Sequence, residues 1–259
     1  MTDPCNNNED PPVHSLQTFV INLEDATKRW THMKTALEHA GLVYTRVEAV
    51  LGKNLKEPIN ELNERLYNIL TGKHTSYGEV GCYLSHIKAL KEFLESCSDY
   101  ALILEDDVKL PVHLPKLISE AIDHRQHWDL LRLSSSKDGQ YIKIASMGFD
   151  SKLVYNTKVL KNTGAYVISR KAAKACIDKM MPMRLPYDVA LDRDWDFGFK
   201  TACIIPFPVA CEDFTTQINK AERIRRYRST TFHLYYLLTY IQRKIYRKKC
   251  AREAESNSA

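Results

Sequence analysis

The chain has 259 residues, of which 44% are hydrophobic and 27% are charged, a composition typical of an ordinary globular protein with one large core, or one domain with an appendage. The formal net charge is +5, but residues 223–252 hold ten Lys or Arg and no acid, so +5 minus these ten cations leaves −5 for the rest. A strongly basic tail on a mildly acidic body indicates a partner rich in phosphate, either a membrane surface or a nucleic acid.

The cysteine pattern and the N-terminal sequence both indicate the compartment in which the protein is expected to function. The seven cysteines are odd in number, widely spaced and without a CxxC pair, which argues against a disulfide framework or a zinc knuckle and for a reducing compartment. The opening MTDPCNNNEDPP is polar and acidic, unlike a signal peptide. No apolar run approaches the roughly 18 to 20 residues that span a bilayer. We therefore expect a cytoplasmic protein.

In chain order, the first half of the sequence alternates between predicted strands and predicted helices. Residues 1–14 are expected to be disordered. The predicted strands cover residues 16–25, 43–50, 100–108 and 129–136, and the predicted helices cover residues 26–41, 60–67, 78–97 and 114–125. This alternation predicts a three-layer α/β fold with a mostly parallel central sheet flanked by helices.

The second half of the chain continues with shorter elements. Two short strands are predicted at residues 139–146 and 152–156, a strand and a helix at residues 163–181, and a late strand at residues 202–211. We place the globular domain at residues 15–218 and a basic amphipathic helical tail at residues 219–259. Neither GxGxxG nor GxxxxGK[ST] occurs, which argues against a dinucleotide fingerprint and a P-loop.

One predicted strand, in ALILEDDVKL, ends in three consecutive acids, Glu105, Asp106 and Asp107. Adjacent carboxylates repel one another and resist desolvation, so they lie either in a solvated loop or around a cation. Ligands of open α/β sheets bind beyond the carboxyl ends of the strands, and carboxylate oxygens suit Mg²⁺ or Mn²⁺ held together with substrate phosphates. The acids are therefore a candidate metal and phosphate site.

Five ordered segments resemble the motifs of one family, glycosyltransferase family 25, which includes bacterial lipooligosaccharide galactosyltransferases and collagen galactosyltransferases. The segments are VINLEDATKRW, GEVGCYLSHIKAL, LILEDDV, NTGAYVISRKAA and LPYDVAL. They extend over residues 17 to about 215. The resemblance implies a GT-A-like fold, a nucleotide-sugar donor (UDP-galactose most often), a Mn²⁺ or Mg²⁺ cofactor and an inverting transfer to a saccharide acceptor.

The same resemblance, combined with the chemistry of an in-line displacement, implies roles for individual residues. Asp107 is the expected direct metal ligand and Glu105 its partner, while Asp106 has the opposite strand parity and points elsewhere. Asp188 is the expected general base, with Asp192 and Asp194 as alternatives. The expected donor-binding residues are Asn22, Arg29, Ser85, His86 and Asp106, and the expected acceptor-binding residues are Asp192, Tyr166 and Glu212.

Each assignment competes with a structural role. Arg29 could be a surface arginine and Asn22 a turn former. His86, on an amphipathic helix, could be a hydrogen-bonded core group. Asp188 follows a proline at a possible helix start, so helix capping competes with catalysis. If residues 187–197 form one helix, Asp188 and Asp192 share a face.

The basic tail mixes cations with Phe, Tyr, Leu and Ile side chains. It is too short to span a bilayer but suits a helix lying on an anionic membrane surface, such as the inner face of a bacterial inner membrane, where a lipid-linked oligosaccharide acceptor would be found. The alternative is a helix packed on the globular domain with solvated charges. Nucleic-acid binding is disfavoured because no recognised module accompanies the charge.

Two other functions compete with sugar transfer. A nucleotidyltransferase could use a similar sheet and metal, but the glycine- and lysine-rich loop expected near its first strand is missing. A non-catalytic carbohydrate- or membrane-binding protein could retain a transferase fold. The donor sugar, the acceptor and the linkage depend on pocket shape, so sequence motifs do not specify them.

Overall fold

The computed structural model describes residues 14–211 and 230–256. The strands are β1 (Leu16–Asn22), β2 (Tyr44–Glu48), β3 (Tyr100–Glu105), β4 (Val108–Lys109), β5 (Leu130–Arg132), β6 (Tyr141–Ser146), β7 (Lys152–Asn156), β8 (Ala165–Ser169), β9 (Thr201–Ile205) and β10 (Ala210–Cys211). The helices are α1 (Thr27–His39), α2 (Glu64–Thr71), α3 (Tyr77–Glu95), α4 (Leu114–Asp123), α5 (Arg170–Met180), α6 (Tyr187–Leu191), α7 (Asp194–Phe197) and α8 (Thr230–Ser256). The disorder expected for residues 1–14 falls almost entirely outside the described residues.

Local capping explains where several helices begin. The Ser76 side chain accepts a hydrogen bond from the backbone N–H of Glu79 and starts α3, and the Ser169 side chain caps α5 in the same way. Asn63 caps α2 by accepting from the N–H of Leu66, so this helix begins at residue 64, later than the predicted residue 60. It ends at Gly72, whose left-handed conformation is a common helix terminator.

The main sheet has eight strands in the order β2-β1-β3-β8-β5-β9-β7-β6, and β10 pairs separately with β4. The pairs β1–β2, β1–β3 and β5–β9 are parallel. Strand β8 runs antiparallel to both of its neighbours, and the β6–β7 hairpin adds an antiparallel edge next to β9. The predicted α/β class, a central sheet flanked by helices, is confirmed.

Helices cover both faces of the sheet, and β3 shows how alternation in the sequence produces these layers. Ala101 and Ile103 pack on one face with residues of α3 and α5. Leu102 and Leu104 pack on the opposite face with residues of α1, α4 and the end of α8. Because successive strand residues point to opposite faces, an unbroken apolar strand requires cover on both sides.

The tail helix α8 is docked on the body of the protein. It packs against α2, β6 and β7, and its Arg247 guanidinium has no exposed surface. Two predicted basic tail residues, Arg243 and Arg247, therefore lie inside the protein and not on a solvated face. No helix in the described part of the chain is long and apolar enough to cross a bilayer.

Candidate functional site

The acidic turn lies at the carboxyl end of β3, where three parallel strands end side by side. In the register of the sheet, Asn22 of β1 is opposite Glu48 of β2, and Ile21 is opposite Glu105 of β3. The antiparallel β8 begins at the same edge, because its first residue, Ala165, is opposite Leu104. The side chains that follow these strands are thus brought together although they are far apart in sequence.

Asp106 is bound on the α1 side of the acidic turn. Its Oδ2 accepts a hydrogen bond from Asn22 Nδ2 at 2.5 Å, and its Oδ1 lies 3.0 Å from Arg29 Nη1. Arg46 Nε donates to Asn22 Oδ1 at 3.0 Å, and its guanidinium stacks over the Trp30 ring. Asn22 and Asp106 are almost fully buried. The burial of Asn22 and Asp106 argues against the direct contacts with the donor that were predicted for them. Their hydrogen bond instead connects β1 to the acidic turn.

Glu105 faces the opposite side, towards α3. Its Oε1 lies 3.2 Å from His86 Nε2 and accepts a hydrogen bond from Thr163 Oγ1 at 3.1 Å. Burial acts to raise the pKa of this carboxyl, but the hydrogen bonds from His86 and Thr163 and the charge of Arg132 hold the pKa below its usual value. Glu105 is therefore maintained as a carboxylate in this environment.

His86 belongs to a buried aromatic network. Its Nδ1 lies 3.2 Å from the Tyr166 hydroxyl, which lies 2.9 Å from the Tyr187 hydroxyl. The imidazole also stacks on the Tyr187 ring with centroids 4.1 Å apart. His86 and Tyr166 both have 0% exposed surface. This burial argues against the predicted contact of His86 with the donor and of Tyr166 with the acceptor. Instead, His86 contacts Glu105, and Tyr166 contacts His86.

Asp107 differs from the other two acids because its unpaired carboxylate oxygen is buried. Its Oδ1 is buried and has no hydrogen-bond partner among the described residues. Burial, followed by the charges of Glu105 and Asp106, raises the pKa of Asp107 to about 7. A buried carboxylate beside two like charges is costly unless a cation approaches it. The donor chemistry fits Mg²⁺ or Mn²⁺, and the assignment of Asp107 and Glu105 as ligands remains a prediction.

A second group with metal-ligand chemistry overlaps this site. Cys82 Sγ, a ring nitrogen of His86 and a carboxylate oxygen of Glu105 lie within 4.8 Å of one another. However, both His86 nitrogens already have partners. Burial, with added repulsion from Glu105 and Asp188, raises the pKa of the Cys82 thiol well above its usual value. The thiol form is therefore favoured, and the group is a poor thiolate site.

Asp188 lies in the first turn of the short helix α6, half-buried, near the acidic turn. Its Oδ1 accepts from the N–H of Val189 at 2.8 Å and its Oδ2 from the N–H of Asn162 at 3.4 Å. The next residue along the chain from Asn162, Thr163, donates to Glu105 Oε1 at 3.1 Å, so Asp188 and Glu105 are contacted by two consecutive residues. The predicted base and the predicted metal ligand Glu105 thus lie on either side of residues 162 and 163, and the roles assigned to them remain predictions.

Asp192 has a different role from the predicted one. The run that could have been a single helix is divided between α6 and α7, and Asp192 ends α6. It has no exposed surface, and its carboxylate lies 3.1 Å from Arg243 and 3.3 Å from Arg247. Arg247 Nε also lies 2.8 Å from Asp194. Asp192 and Asp194 are therefore buried ion-pair partners of α8, and neither acceptor binding by Asp192 nor catalysis by Asp194 fits.

A cleft of about 470 Å³ opens beside Asn22, beyond the ends of β1 and β2. Its lining residues are Leu23, Glu24, Asp25, Glu48, Ala49, Val50, Leu51, Lys53, Asn54 and Lys88. The Ser85 hydroxyl accepts from the N–H of Val50 at 2.8 Å and donates to the Gly81 carbonyl at 2.7 Å. A side chain at Gly81 would lie 2.6 Å from the Val50 oxygen. Ser85 and Gly81 therefore shape the wall of the cleft, and the predicted direct donor contact of Ser85 is corrected.

Several residues of the site were not predicted. Thr163 and Asn162 contact Glu105 and Asp188, and Arg46 holds Asn22. The NTGAY segment contained a signal for the first two, since a polar turn precedes a buried strand there. Nothing in the local pattern around Arg46 distinguishes it from a surface residue of a strand. Glu212, predicted to bind the acceptor, lies outside the described residues.

Comparison with known proteins identifies related chains. The family model described as "Glycosyltransferase family 25 (LPS biosynthesis protein)" matches residues 15–191. The chain is 28% identical over 130 residues to procollagen galactosyltransferase 1-A of Xenopus laevis, covering 47% of this chain and 21% of that protein. It is 24% identical over 195 residues to the lacto-N-neotetraose biosynthesis glycosyltransferase LgtE of Neisseria meningitidis serogroup B, covering 68% of this chain and 65% of that protein.

One further relative bears on catalytic activity. A protein of Rattus norvegicus that is 26% identical over 191 residues, covering 68% of this chain and 33% of that protein, is named a probable inactive member of the same family. The chain thus spans about a fifth, a third and two thirds of these three relatives. The match to the family model over residues 15–191 identifies the family, whereas activity has to be argued from the site.

Proposed function

The chain belongs to glycosyltransferase family 25, and on this premise we propose that it transfers a sugar from a nucleotide-sugar donor, UDP-galactose, to a saccharide acceptor of lipooligosaccharide or lipopolysaccharide. The observation that carries the proposal is the buried Asp107 Oδ1, which has no hydrogen-bond partner among the described residues and belongs to the acidic turn with Glu105, while residues 162 and 163 connect Glu105 to Asp188. A metal-dependent inverting sugar transfer uses a cation at the leaving diphosphate and a separate carboxylate base for the acceptor hydroxyl.

The acidic turn provides the binding site for the cation. Asp107 and Glu105 would hold Mn²⁺ or Mg²⁺, and the bound ion would neutralise the charge that develops on the leaving diphosphate. Asp106 is assigned no part in this, because its carboxylate is buried between Asn22 and Arg29 and contacts both of them. The buried network of His86, Tyr166 and Tyr187 keeps Glu105 ionised and fixes the position of its Oε1.

Asp188 supplies the base. Its carboxylate is half-buried and is oriented by two backbone N–H groups, so its remaining lone pairs can accept the proton of an acceptor hydroxyl. A single displacement by that hydroxyl inverts the anomeric carbon. The cleft beside Asn22 is proposed to hold the nucleoside, since its lining residue Leu23 follows Asn22, whose side chain contacts Asp106, and since it lies where open α/β sheets bind ligands.

The exposed side of α8 supports a membrane surface as a further partner. Leu234, Leu238, Ile241 and Ile245 are 43–65% exposed, and their spacing of four, three and four residues places them on one face, here called the apolar stripe. Exposed Lys248, Lys249 and Arg252 follow it along the helix. A second copy of this helix would bring cations against cations along most of its length, because the acids of α8, Glu253 and Glu255, both lie in its last turn. An anionic bilayer, which would also present a lipid-linked acceptor, satisfies both features.

A screen for UDP release tests the reaction. The purified chain is incubated with a panel of UDP-sugars and oligosaccharide acceptors in Mn²⁺ or in EDTA, with Asp107→Ala compared with Asp123→Ala, a change at an exposed acid of α4. We expect acceptor-dependent UDP release from UDP-galactose that EDTA and Asp107→Ala abolish. Turnover that persists in EDTA and in Asp107→Ala would refute the metal role. A protein that binds UDP-galactose but never releases UDP would be the non-catalytic alternative.

A further inference from the structure

Residues 162–164 lie between the candidate metal ligand and the candidate base. Thr163 Oγ1 donates to Glu105 Oε1 at 3.1 Å, and the Gly164 carbonyl accepts from the N–H of Glu105 at 2.8 Å. The N–H of Asn162 donates to Asp188 Oδ2 at 3.4 Å. Three consecutive residues, here called the 162–164 bridge, thus contact two carboxylates that the chain supplies from different elements.

The conformation of this bridge is held from several directions. Asn162 adopts φ +76°, a left-handed conformation that is unusual for any residue except glycine and that asparagine tolerates best. Its side chain accepts from the N–H of Gly164 at 2.5 Å and donates to Cys211 Sγ at 2.7 Å, which attaches the bridge to β10. A Cβ at Gly164 would meet Val108 and the Asn162 side chain at 3.0 Å, so the packing there leaves little space.

The buried guanidinium of Arg132 contacts the 162–164 bridge from β5. Arg132, the last residue of β5, has 0% exposed surface and donates to the Asn162 carbonyl. Its Nε and Nη1 have no hydrogen-bond partner within the described ranges 14–211 and 230–256. Burying an arginine with unpaired donors is costly. Buried donors without partners require an explanation, and the left-handed backbone of Asn162, which Arg132 contacts, is a conformation that clusters at functional sites.

We propose that the 162–164 bridge and Arg132 are positioning residues that set the separation between Glu105 and Asp188. Under the proposed function, on which this inference rests, that separation determines how far the attacking hydroxyl at Asp188 lies from the leaving diphosphate near Glu105. An in-line displacement needs the leaving diphosphate and the attacking hydroxyl to be aligned at the reacting carbon. A misplacement of about 1 Å can lower the rate roughly 100-fold. The bridge transmits the position of one carboxylate to the other without touching the substrate.

The hydroxyl of Thr163 gives the sharpest test. Thr163→Val keeps the shape of the side chain and removes the donor to Glu105, and Thr163→Ser restores the donor. We expect Thr163→Val to lower kcat about tenfold with a donor KM changed less than about twofold, and to weaken Mn²⁺ binding about tenfold, with recovery in Thr163→Ser. Thr157→Val, a matched change at a buried threonine bonded to Gln140, should leave all three quantities unchanged.

Mn²⁺ binding is measured by electron paramagnetic resonance titration, which requires no turnover. If the wild type binds Mn²⁺ but transfers no sugar, the proposed function fails while the link from Thr163 to Glu105 is still measured. Thr163→Val with normal kcat and normal Mn²⁺ affinity would overturn the inference. So would equal losses in Thr157→Val, since these would indicate general destabilisation.

Asn162 tests the other end of the bridge. Asn162→Gly permits the left-handed backbone but loses the contacts to Gly164 and Cys211, whereas Asp150→Gly makes the same kind of change at φ +53° in a turn outside the site. We expect Asn162→Gly to lower kcat about tenfold and to leave Mn²⁺ affinity within about twofold, because Glu105 keeps its own contacts. Equal kcat values in the two glycine variants would refute the role of Asn162.

Discussion

Asn22 Nδ2 lies 2.5 Å from Asp106 Oδ2, and this contact joins the end of β1 to the acidic turn after β3. The two residues are far apart in sequence but adjacent in the sheet, because β1 and β3 pair in parallel register. Arg29 closes the arrangement from α1 at 3.0 Å from Asp106 Oδ1. The middle acid of the triplet is thereby used for structure, which leaves Glu105 and Asp107 available for a cation.

Asp106→Ala should therefore reduce stability more than metal binding. The substitution leaves the buried amide of Asn22 and the guanidinium of Arg29 without their partner, and we expect a loss of about 2 to 3 kcal/mol in the free energy of unfolding. Urea denaturation measures this loss, with Asp123→Ala as the exposed control. A variant as stable as the wild type that no longer binds Mn²⁺ would contradict the division of roles among the three acids.

Asp107 should make the stability of the metal-free protein depend on pH. Its folded pKa of about 7 lies above its ordinary value of 3.8. Between roughly pH 4 and pH 7 the unfolded chain has lost the proton that the folded protein keeps, so the free energy of unfolding should fall as pH rises through this window and level off above it. Urea denaturation of the wild type minus that of Asp107→Asn isolates this contribution.

The same proton competes with the cation. Below about pH 7, Mn²⁺ affinity should fall by up to about tenfold per pH unit, since binding must release one proton from Asp107. Mn²⁺ titrations at a series of pH values measure the slope. An affinity that does not change across this range would show that Asp107 is not the ligand that titrates.

Asp188→Asn should abolish most turnover while the protein stays folded. The amide keeps the size of the side chain but cannot accept the proton of the acceptor hydroxyl, so we expect kcat to fall by roughly 10² to 10⁴ with little change in Mn²⁺ affinity. Asp178→Asn, at an exposed position of α5, is the matched control. Near-normal turnover in Asp188→Asn would mean that another group is the base.

Arg247 should be essential for docking α8. The side chain has no exposed surface and pairs with Asp192 and Asp194, so Arg247→Met leaves two buried carboxylates without their main counter-charge. We expect a loss of roughly 3 to 5 kcal/mol in the free energy of unfolding. Lys248→Met, one residue further along at an exposed position, should change stability by less than about 0.5 kcal/mol. Similar stabilities for both variants would show that the cluster is not stabilising.

The apolar stripe of α8 should govern binding to anionic vesicles. The double variant Leu238→Glu/Ile245→Glu adds charge to the exposed face and should weaken cosedimentation with vesicles of phosphatidylglycerol by about tenfold or more. Val43→Glu changes an apolar residue that is 90% exposed outside α8 and serves as control. Phosphatidylcholine carries no net charge. Equal binding to phosphatidylcholine vesicles would therefore refute a contribution from attraction between the cations of α8 and anionic lipid. A dimer in ultracentrifugation that the double variant dissociates would identify a second copy as the partner instead.

Local patterns predicted most of the elements. The strands and most helices lie within a few residues of their predicted ranges, because alternation and helical periodicity involve neighbours one to four residues apart. Helix α2 was misplaced, since its start depends on whether Asn60 or Asn63 caps it. The break between α6 and α7 also escaped prediction, because Asp192 turns inward to meet arginines of α8.

The sequence by itself determined the α/β class, the family and the acidic turn, because each depends on residues that are contiguous or on motifs in a fixed order. It also indicated that Asp106 points away from Glu105, since strand parity is a local property. Only the tertiary structure decided which polar residues are available to a ligand. Asp192, Tyr166 and His86 have the chemistry of site residues, yet docking of distant helices and strands buries them against partners, and burial is a property of the whole fold.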